Sequence, residues 1–146
     1  MFSLPEYGCT NFSIGDAKYS LSNVFSDVPI DWLEKTIYGL KTSRPFTIYG
    51  WCEPEDIFCT VTENFCYIIY ALDDKILKTH AIKVTMLDFC KMLHEDISRD
   101  TFAWAYFEYY GDEFEGDEYK ELHLNDEKKI KSLLNELDAL IKKRLH

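Results

Sequence analysis

Apolar runs rich in β-branched and aromatic residues, separated by short polar turns, occupy the middle of the chain. Four such runs predict strands at residues 46–51, 57–62, 65–72 and 76–84. The turn-like residues 53–56, 63–64 and 73–75 join them. Because connections this short join antiparallel neighbours, the pattern predicts an antiparallel meander. Two shorter runs, 12–14 and 19–21, are candidate strands around the turn Gly15–Asp16.

Apolar residues at helical spacing predict a helix before this block and another after it. In the first helix, Asp27 is a candidate N-cap, Pro29 lies in the first turn, and Gly39 with residues 41–45 ends the pattern. Its apolar positions are Ile30, Leu33, Ile37 and Leu40. The second helix begins at Thr85, which with Asp88 resembles a capping box. Its inward positions are Met86, Cys90, Leu93 and Ile97.

The C-terminal residues show the longest amphipathic pattern. Asn125 or Asp126 is expected to cap a helix that runs to about Arg144 and packs across the sheet. One apolar stripe comprises Ile130, Leu133, Leu134, Leu137, Leu140, Ile141 and Leu145. The last turn is basic, which suits the helix dipole.

The stretch between the second and last helices is ambiguous. The aromatic residues of 101–110 favour a strand, with a helix as the alternative. Residues 111–117 are expected to form a loop, and 119–124 a last short strand. The sequence as a whole predicts a single α+β domain over residues 1–146. It is mainly an antiparallel sheet meander with about three helices, including the long amphipathic C-terminal one.

Charge and cysteine content narrow the possible partners. The chain has 26 acidic and 16 basic residues, for a formal net charge of −10. This balance argues against nucleic acid or an anionic membrane as the main ligand and favours a basic protein partner. Acidity that serves solubility alone is the other interpretation. Five cysteines without C-x-x-C spacing, no basic signal region and no membrane-length apolar run indicate a protein of the reducing cytoplasm.

No catalytic, cofactor or metal motif is recognisable in the sequence. The four histidines lack ligand spacing, and residues 112–118 miss the EF-hand pattern because Phe114 takes a ligand position. There is no G-x-S-x-G elbow and no glycine-rich phosphate loop. Cys90 lies on an apolar helix face and is expected to be a buried structural thiol. We therefore expect no catalytic residue, no cofactor and no metal.

Residues 107–121 interleave aromatic rings with carboxylates, and a second acidic cluster lies beside Trp51. One interpretation places the aromatics in the core and the acids in a solvated loop. The other makes them aromatic anchors with an acidic rim, complementary to a surface rich in Arg and Lys. The partner-binding residues predicted on the second interpretation are Trp104, Tyr106, Glu108, Tyr109, Tyr110, Asp112, Glu113, Glu115, Asp117, Glu118, Glu53, Glu55 and Asp56.

In its small size, acidity, α+β pattern, aromatic content and lack of catalytic residues, the chain resembles bacterial toxin immunity proteins, such as those of contact-dependent growth inhibition. The resemblance implies a cytoplasmic antitoxin that binds a cognate toxin domain, often a basic nuclease. Such proteins cover the active site of the toxin or bind beside it. The alternatives are a nucleic-acid mimic that inhibits a defence nuclease, a small enzyme with a dispersed site, and a subunit that dimerises through an aromatic strand. The oligomeric state stays open.

Overall fold

Six antiparallel strands, hydrogen-bonded in sequence order, form the sheet in the part of the chain that the structure describes. The structure is a computed structural model that describes residues 1–22, 28–106 and 117–146, with side chains from residue 120 onward in the last range. The elements are β1 (Cys9–Ile14), β2 (Ala17–Ser22), α1 (Ile30–Thr42), β3 (Phe46–Cys52), β4 (Glu55–Val61), β5 (Cys66–Leu72), β6 (Lys75–Ile82), α2 (Met86–Ser98), α3 (Thr101–Ala105) and α4 (Asp117–Leu145). The predicted α+β class and the meander are confirmed.

The hydrogen-bonded registers follow the predicted turns. Strands β3 and β4 pair from Phe46↔Val61 to Cys52↔Glu55, and β4 and β5 pair up to Val61↔Cys66. The Thr62 amide donates to the Phe65 carbonyl (2.8 Å), which closes the predicted tight turn. Strand β2 pairs with β3 through Ser22↔Trp51 among the residues that the structure describes.

The sheet curls until its two ends meet. Gly15, in the turn between β1 and β2, has a φ of +54°, and a Cβ there would lie 3.1 Å from the Ile82 side chain of β6. The Tyr19 hydroxyl of β2 also lies 2.6 Å from His80 Nε2 of β6. Curling gives the sheet an inner and an outer face, and the alternation of side chains along each strand divides residues between them.

Aromatic rings from four segments meet at the centre of the core. The Phe2 ring stacks on Phe12 of β1 and on Trp32 of α1, with centroid distances of 4.9 and 4.6 Å. The Phe2 and Trp104 rings are perpendicular to each other, with a centroid distance of 6.2 Å, and Trp104 belongs to α3. All four side chains are at most 3% exposed. The N-terminal residues thus pack between the sheet and the helices.

Asp96 of α2 is the polar counterpart of this aromatic centre. Its side chain is 6% exposed and accepts a hydrogen bond from the Phe2 amide at 2.7 Å. The Met1 amino group and the Arg99 guanidinium each lie 3.3 Å from its carboxylate. The Asp96 carbonyl accepts from Trp104 Nε1 at 3.2 Å. This one residue therefore connects the N-terminal segment, α2 and α3, and its buried charge is compensated on several sides.

Helix α1 begins later than the apolar pattern indicated, and it ends at Thr42, within the predicted residues 41–45. Pro29 occupies the N-cap position, and the predicted cap Asp27 lies outside the described residues. Gly39 does not end the helix, which continues to Thr42. Gly39 is instead needed for packing, because a Cβ there would lie 2.2 Å from the Phe46 ring. In α2 the predicted N-cap is confirmed, since the Thr85 hydroxyl accepts from the Asp88 amide.

The predicted strand at residues 101–110 is wrong over its first half, and the alternative helix is found there. Residues Thr101–Ala105 form α3, which begins where the Asp100 carboxylate accepts from the Ala103 amide (3.0 Å). The rings of the segment favoured a strand on propensity alone, but Trp104 is fixed in a helix by its contacts with α2 and the core. Residues 107–110 lie outside the described residues, as does most of the predicted loop at 111–117.

The predicted strand at 119–124 and the predicted cap at Asn125 or Asp126 are also wrong, because α4 already begins at Asp117. His123 explains the extension: it is 2% exposed and its Nδ1 donates to the Ala105 carbonyl at 2.7 Å. This contact adds a polar residue to the buried stripe. The helix also differs from its predicted position, since it packs mainly on α1, α2 and α3 rather than across the sheet.

We predict that Asp96→Asn destabilises the fold by about 3 kcal/mol, because it removes a buried charge that faces the Met1 amino group and the Phe2 amide. Urea denaturation at neutral pH measures the change. Glu95→Gln is the matched control, as Glu95 is the exposed neighbour on the same helix. The control is expected to stay within about 0.5 kcal/mol of the wild type. Equal stability of both variants would contradict the role assigned to Asp96.

Candidate functional site

The predicted partner-binding residues fall into three groups. Six of them lie outside the described residues: Glu108, Tyr109, Tyr110, Asp112, Glu113 and Glu115. Asp117 and Glu118 lie in the first turn of α4, with side chains that are not described. The other five, Trp104, Tyr106, Glu53, Glu55 and Asp56, have described positions. The described part of the predicted site therefore rests on α3 and on the hairpin of β3 and β4.

Trp104, in α3, and Tyr106, at the C-terminal end of α3, differ in burial. Trp104 is 1% exposed and belongs to the core, so its ring cannot reach a partner in this fold. Tyr106 is partly buried and stacks on Phe102 at 4.3 Å and on His123 at 4.4 Å. This stack joins α3 to α4. For Trp104, the structure agrees with the interpretation that places these aromatics in the core.

The acidic cluster beside Trp51 is divided between the two faces of the sheet. Asp56 pairs with Trp51 across the hairpin, while Glu55 pairs with Cys52. Since successive side chains on a strand point to opposite faces, Glu55 and Asp56 cannot form one patch. Glu53 lies in the turn and is exposed. The structure therefore keeps Glu53 and Asp56 as candidates for an outer site and assigns Glu55 to the inner face.

Asp56 fixes an aromatic residue on the outer face. Its carboxylate accepts a hydrogen bond from the Tyr49 hydroxyl. Burial, together with this bond and the nearby negative charge, raises the pKa of Tyr49 to about 12. The Tyr49 ring lies 5.4 Å from the Phe58 ring, its direct cross-strand neighbour. The phenol is thus held in one orientation beside a second ring.

We define the outer aromatic face as Tyr49, Phe58, Phe65, Tyr67 and Ile69. Phe58 is 39% exposed, Phe65 is 38% exposed and Tyr67 is 43% exposed. Ile69 lies opposite Phe58 in the register, and the Phe65 and Tyr67 rings stack at 6.0 Å. These side chains alternate with the buried residues of β3, β4 and β5. A contiguous apolar surface on a rigid sheet is typical of an interaction site.

The prediction included none of the five residues of the outer aromatic face, although it found the strands that carry them. The signal was available in the alternation of β4, where Ile57, Cys59 and Val61 are buried and Phe58 is not. A large ring at the position opposite the core side indicates an exposed aromatic residue. The acidic composition of residues 107–121 drew the prediction to a different segment.

A polar relay lies where the curled sheet meets itself. His80 has a side chain that is 2% exposed, and its Nδ1 lies 3.2 Å from the Asp16 carboxylate. A carboxylate only accepts, so in the neutral ring Nδ1 carries the proton and Nε2 accepts from the Tyr19 hydroxyl. Burial, followed by the neighbouring Cys52 and Asp16, raises the pKa of Tyr19. The relay connects β6 with β2 and with the turn between β1 and β2.

An open cavity of about 320 Å³ adjoins this relay. Lys18, Leu77 and Lys78 line it together with Tyr70 and the relay residues. The Tyr70 ring lies 5.0 Å from the Tyr19 ring, and burial, followed by the negative charge of Glu55, raises the pKa of Tyr70. Glu55, the inner-face acid of the predicted cluster, therefore acts on a tyrosine of this cavity. The arrangement combines a buried imidazole, a phenol and a carboxylate beside accessible space.

Metal-binding groups, membrane-spanning helices and similarity to known proteins point to no further site in the described residues. Among the described residues, no group of three or more His, Cys, Asp and Glu side chains could hold a metal ion. The described helices include none that combines the length and the apolar character needed to cross a membrane. No family model, curated protein or solved structure matches the chain. The candidate sites are therefore defined by geometry alone.

We predict that Tyr49 keeps its proton to about pH 12 and that Asp56→Asn lowers this pKa towards its ordinary value, because the variant removes the negative charge beside the phenol. Spectrophotometric titration of tyrosinate, with Tyr49→Phe as the reference to be subtracted, isolates the group. The raised pKa contributes stability that is present below the ordinary pKa and lost as pH rises towards 12. A Tyr49 titration that is unchanged in Asp56→Asn would show that the bond does not hold the proton.

Proposed function

We propose that the chain is a cytoplasmic binding protein that neutralises a basic toxin domain through direct contact, as immunity proteins do. The observation that supports this most is the outer aromatic face, which is exposed on one side of a sheet whose other side packs on the core. A rigid sheet loses little conformational entropy on binding, and its aromatic side chains supply large contact areas. The face therefore suits an interface with another protein.

Carboxylates border this face. Asp56 holds Tyr49, Glu53 is exposed in the hairpin turn beyond it, and Glu63 lies two residues before Phe65 in the next turn. Acidic groups around an apolar centre attract a basic partner and accelerate encounter, while the rings supply most of the binding energy. A toxin that grips nucleic acid would present the complementary positive surface.

The lysines of α4 do not neutralise the carboxylates that border the outer aromatic face. Lys129 pairs with Glu34 of α1 at 3.2 Å, and Lys142 pairs with Asp138 within α4 at 2.6 Å. The Lys142 ammonium lowers the pKa of Asp138 accordingly. Because α4 packs on the other helices, its positive charge lies on the helical side of the molecule. The net charge of −10 still governs the field that a distant partner meets.

The test begins with the reading frame upstream of this one in the source genome. If it ends in a basic domain, that domain is produced in a host with and without the present protein. We expect growth arrest by the domain alone, rescue on co-expression, and a stable complex of the two purified proteins. Rescue without a complex, or a complex without rescue, would contradict neutralisation by direct binding.

We predict that Phe58→Ala and Tyr67→Ala each raise the Kd for the toxin domain about 30-fold, a loss of about 2 kcal/mol, because each removes an aromatic contact at the centre of the interface. Calorimetric titration measures the change. Tyr38→Ala is the matched control, since Tyr38 is 49% exposed on α1, at the helical side. Complex formation that is insensitive to both face variants would place the binding surface elsewhere.

The relay favours a second candidate function, that of a small hydrolase. A buried His80 between Asp16 and Tyr19 has the order of carboxylate, imidazole and hydroxyl that general acid–base catalysis uses. If this is the function, hydrolysis of p-nitrophenyl acetate or phosphate falls about 100-fold in Tyr19→Phe and His80→Gln. His94→Gln, on α2, is the control. Equal turnover in all variants would leave the relay as a link between strands.

A further inference from the structure

Two cysteines of the hairpin of β4 and β5 lie side by side on the inner face. The Cys59 and Cys66 sulfur atoms are 3.0 Å apart, and neither residue is more than 1% exposed. Val61 pairs with Cys66 and Cys59 pairs with Ile68, so the two cysteines are diagonal neighbours on adjacent strands. The register of the hairpin therefore holds the two sulfurs in contact.

From this geometry we infer that Cys59 and Cys66 form an oxidisable dithiol, a modification site that a hydroperoxide converts into a disulfide across the hairpin. The neighbouring side chains give the site a consequence for the outer aromatic face. Phe58 precedes Cys59, while Phe65 and Tyr67 flank Cys66. A covalent link between the two strands fixes these three rings relative to one another.

The two thiols differ in reactivity. Either sulfur can donate in this contact. When Cys66 is a thiolate, the Cys59 thiol donates to it, which lowers the pKa of Cys66 and raises that of Cys59. Cys66 is therefore the attacking thiolate and Cys59 the resolving thiol. The remaining buried cysteine behaves differently, because burial raises the pKa of Cys90 to about 12. All the described cysteines are free thiols. The thiol–thiol contact among the described residues is that between Cys59 and Cys66, and it does not include Cys90.

The reaction balances with one hydroperoxide for each disulfide. The Cys66 thiolate attacks a peroxide oxygen, the O–O bond breaks, and the Cys66 sulfenic acid forms as hydroxide leaves. The Cys59 sulfur then attacks the Cys66 sulfur, the S–S bond forms, and the sulfenic oxygen leaves as water with the Cys59 proton. Two thiols are oxidised and one hydrogen peroxide is reduced to two water molecules.

The oxidant reaches the buried pair through the end of the hairpin. Cys66 lies in the last strand pair before the turn, and Glu63, Asn64 and Phe65 in that turn are exposed. Local opening of a strand end requires less free energy than global unfolding. We therefore expect oxidation under native conditions, slower than that of an exposed thiol.

The test treats the folded protein with hydrogen peroxide, using a Cys9→Ser/Cys52→Ser background that removes the more accessible thiols. The remaining thiols are alkylated under denaturing conditions, and the chain is cleaved after Glu63, which lies between the two cysteines. We expect the loss of two thiols per chain and of the mass of two hydrogens. We also expect one cross-linked peptide pair that joins Cys59 to Cys66, with Cys90 alkylated. Dithiothreitol added before alkylation is expected to restore the two lost thiols.

Two variants complete the test. Cys66→Ala is expected to abolish the loss of thiols, whereas Cys90→Ala is expected to leave it unchanged. The identification of the cross-linked peptides uses the protein that keeps Cys59, Cys66 and Cys90. That result therefore stands even if Cys66→Ala or Cys90→Ala does not fold. Retention of both thiols after peroxide treatment, or a disulfide that involves Cys90 or a second chain, would overturn the inference.

Discussion

The buried carboxylate of Asp96 is the constraint on which the arrangement of the core depends. It accepts from the Phe2 amide and lies beside the Met1 amino group, so the N-terminal residues are held against α2. Phe2 can then place its ring between Phe12 and Trp32, where the sheet meets the first helix. A buried charge is tolerated only with such compensation, and here compensation and aromatic packing require the same backbone positions.

Because the helices occupy one side of the sheet, the two faces have different chemistry. The inner face carries the core, the relay of Tyr19 and His80, and the paired thiols of Cys59 and Cys66. The outer face presents several exposed rings together, which is typical of an interaction surface. Its Phe58 ring is placed by the same strand that buries the residues on either side of it. Core packing and the candidate interface are thus two consequences of one strand register.

Local patterns predicted most of the elements correctly, and the failures have a common cause. Strand propensity and turn residues act over a few neighbours, so the meander of β3 to β6 could be read from the chain. Between Thr101 and Leu124 the aromatic residues have the same local preferences, yet a helix forms at each end of this stretch. There, long-range contacts such as that of His123 with the Ala105 carbonyl outweigh propensity.

The sequence by itself determined the α+β class, the order of the strands and the acidic character, because these depend on composition and on near neighbours. Only the tertiary structure decided which residues share a surface. It buried Trp104, separated Glu55 from Asp56, and exposed Phe58. The physical reason is that a face belongs to several strands at once, so its members are set by register and curvature and not by their distance along the chain.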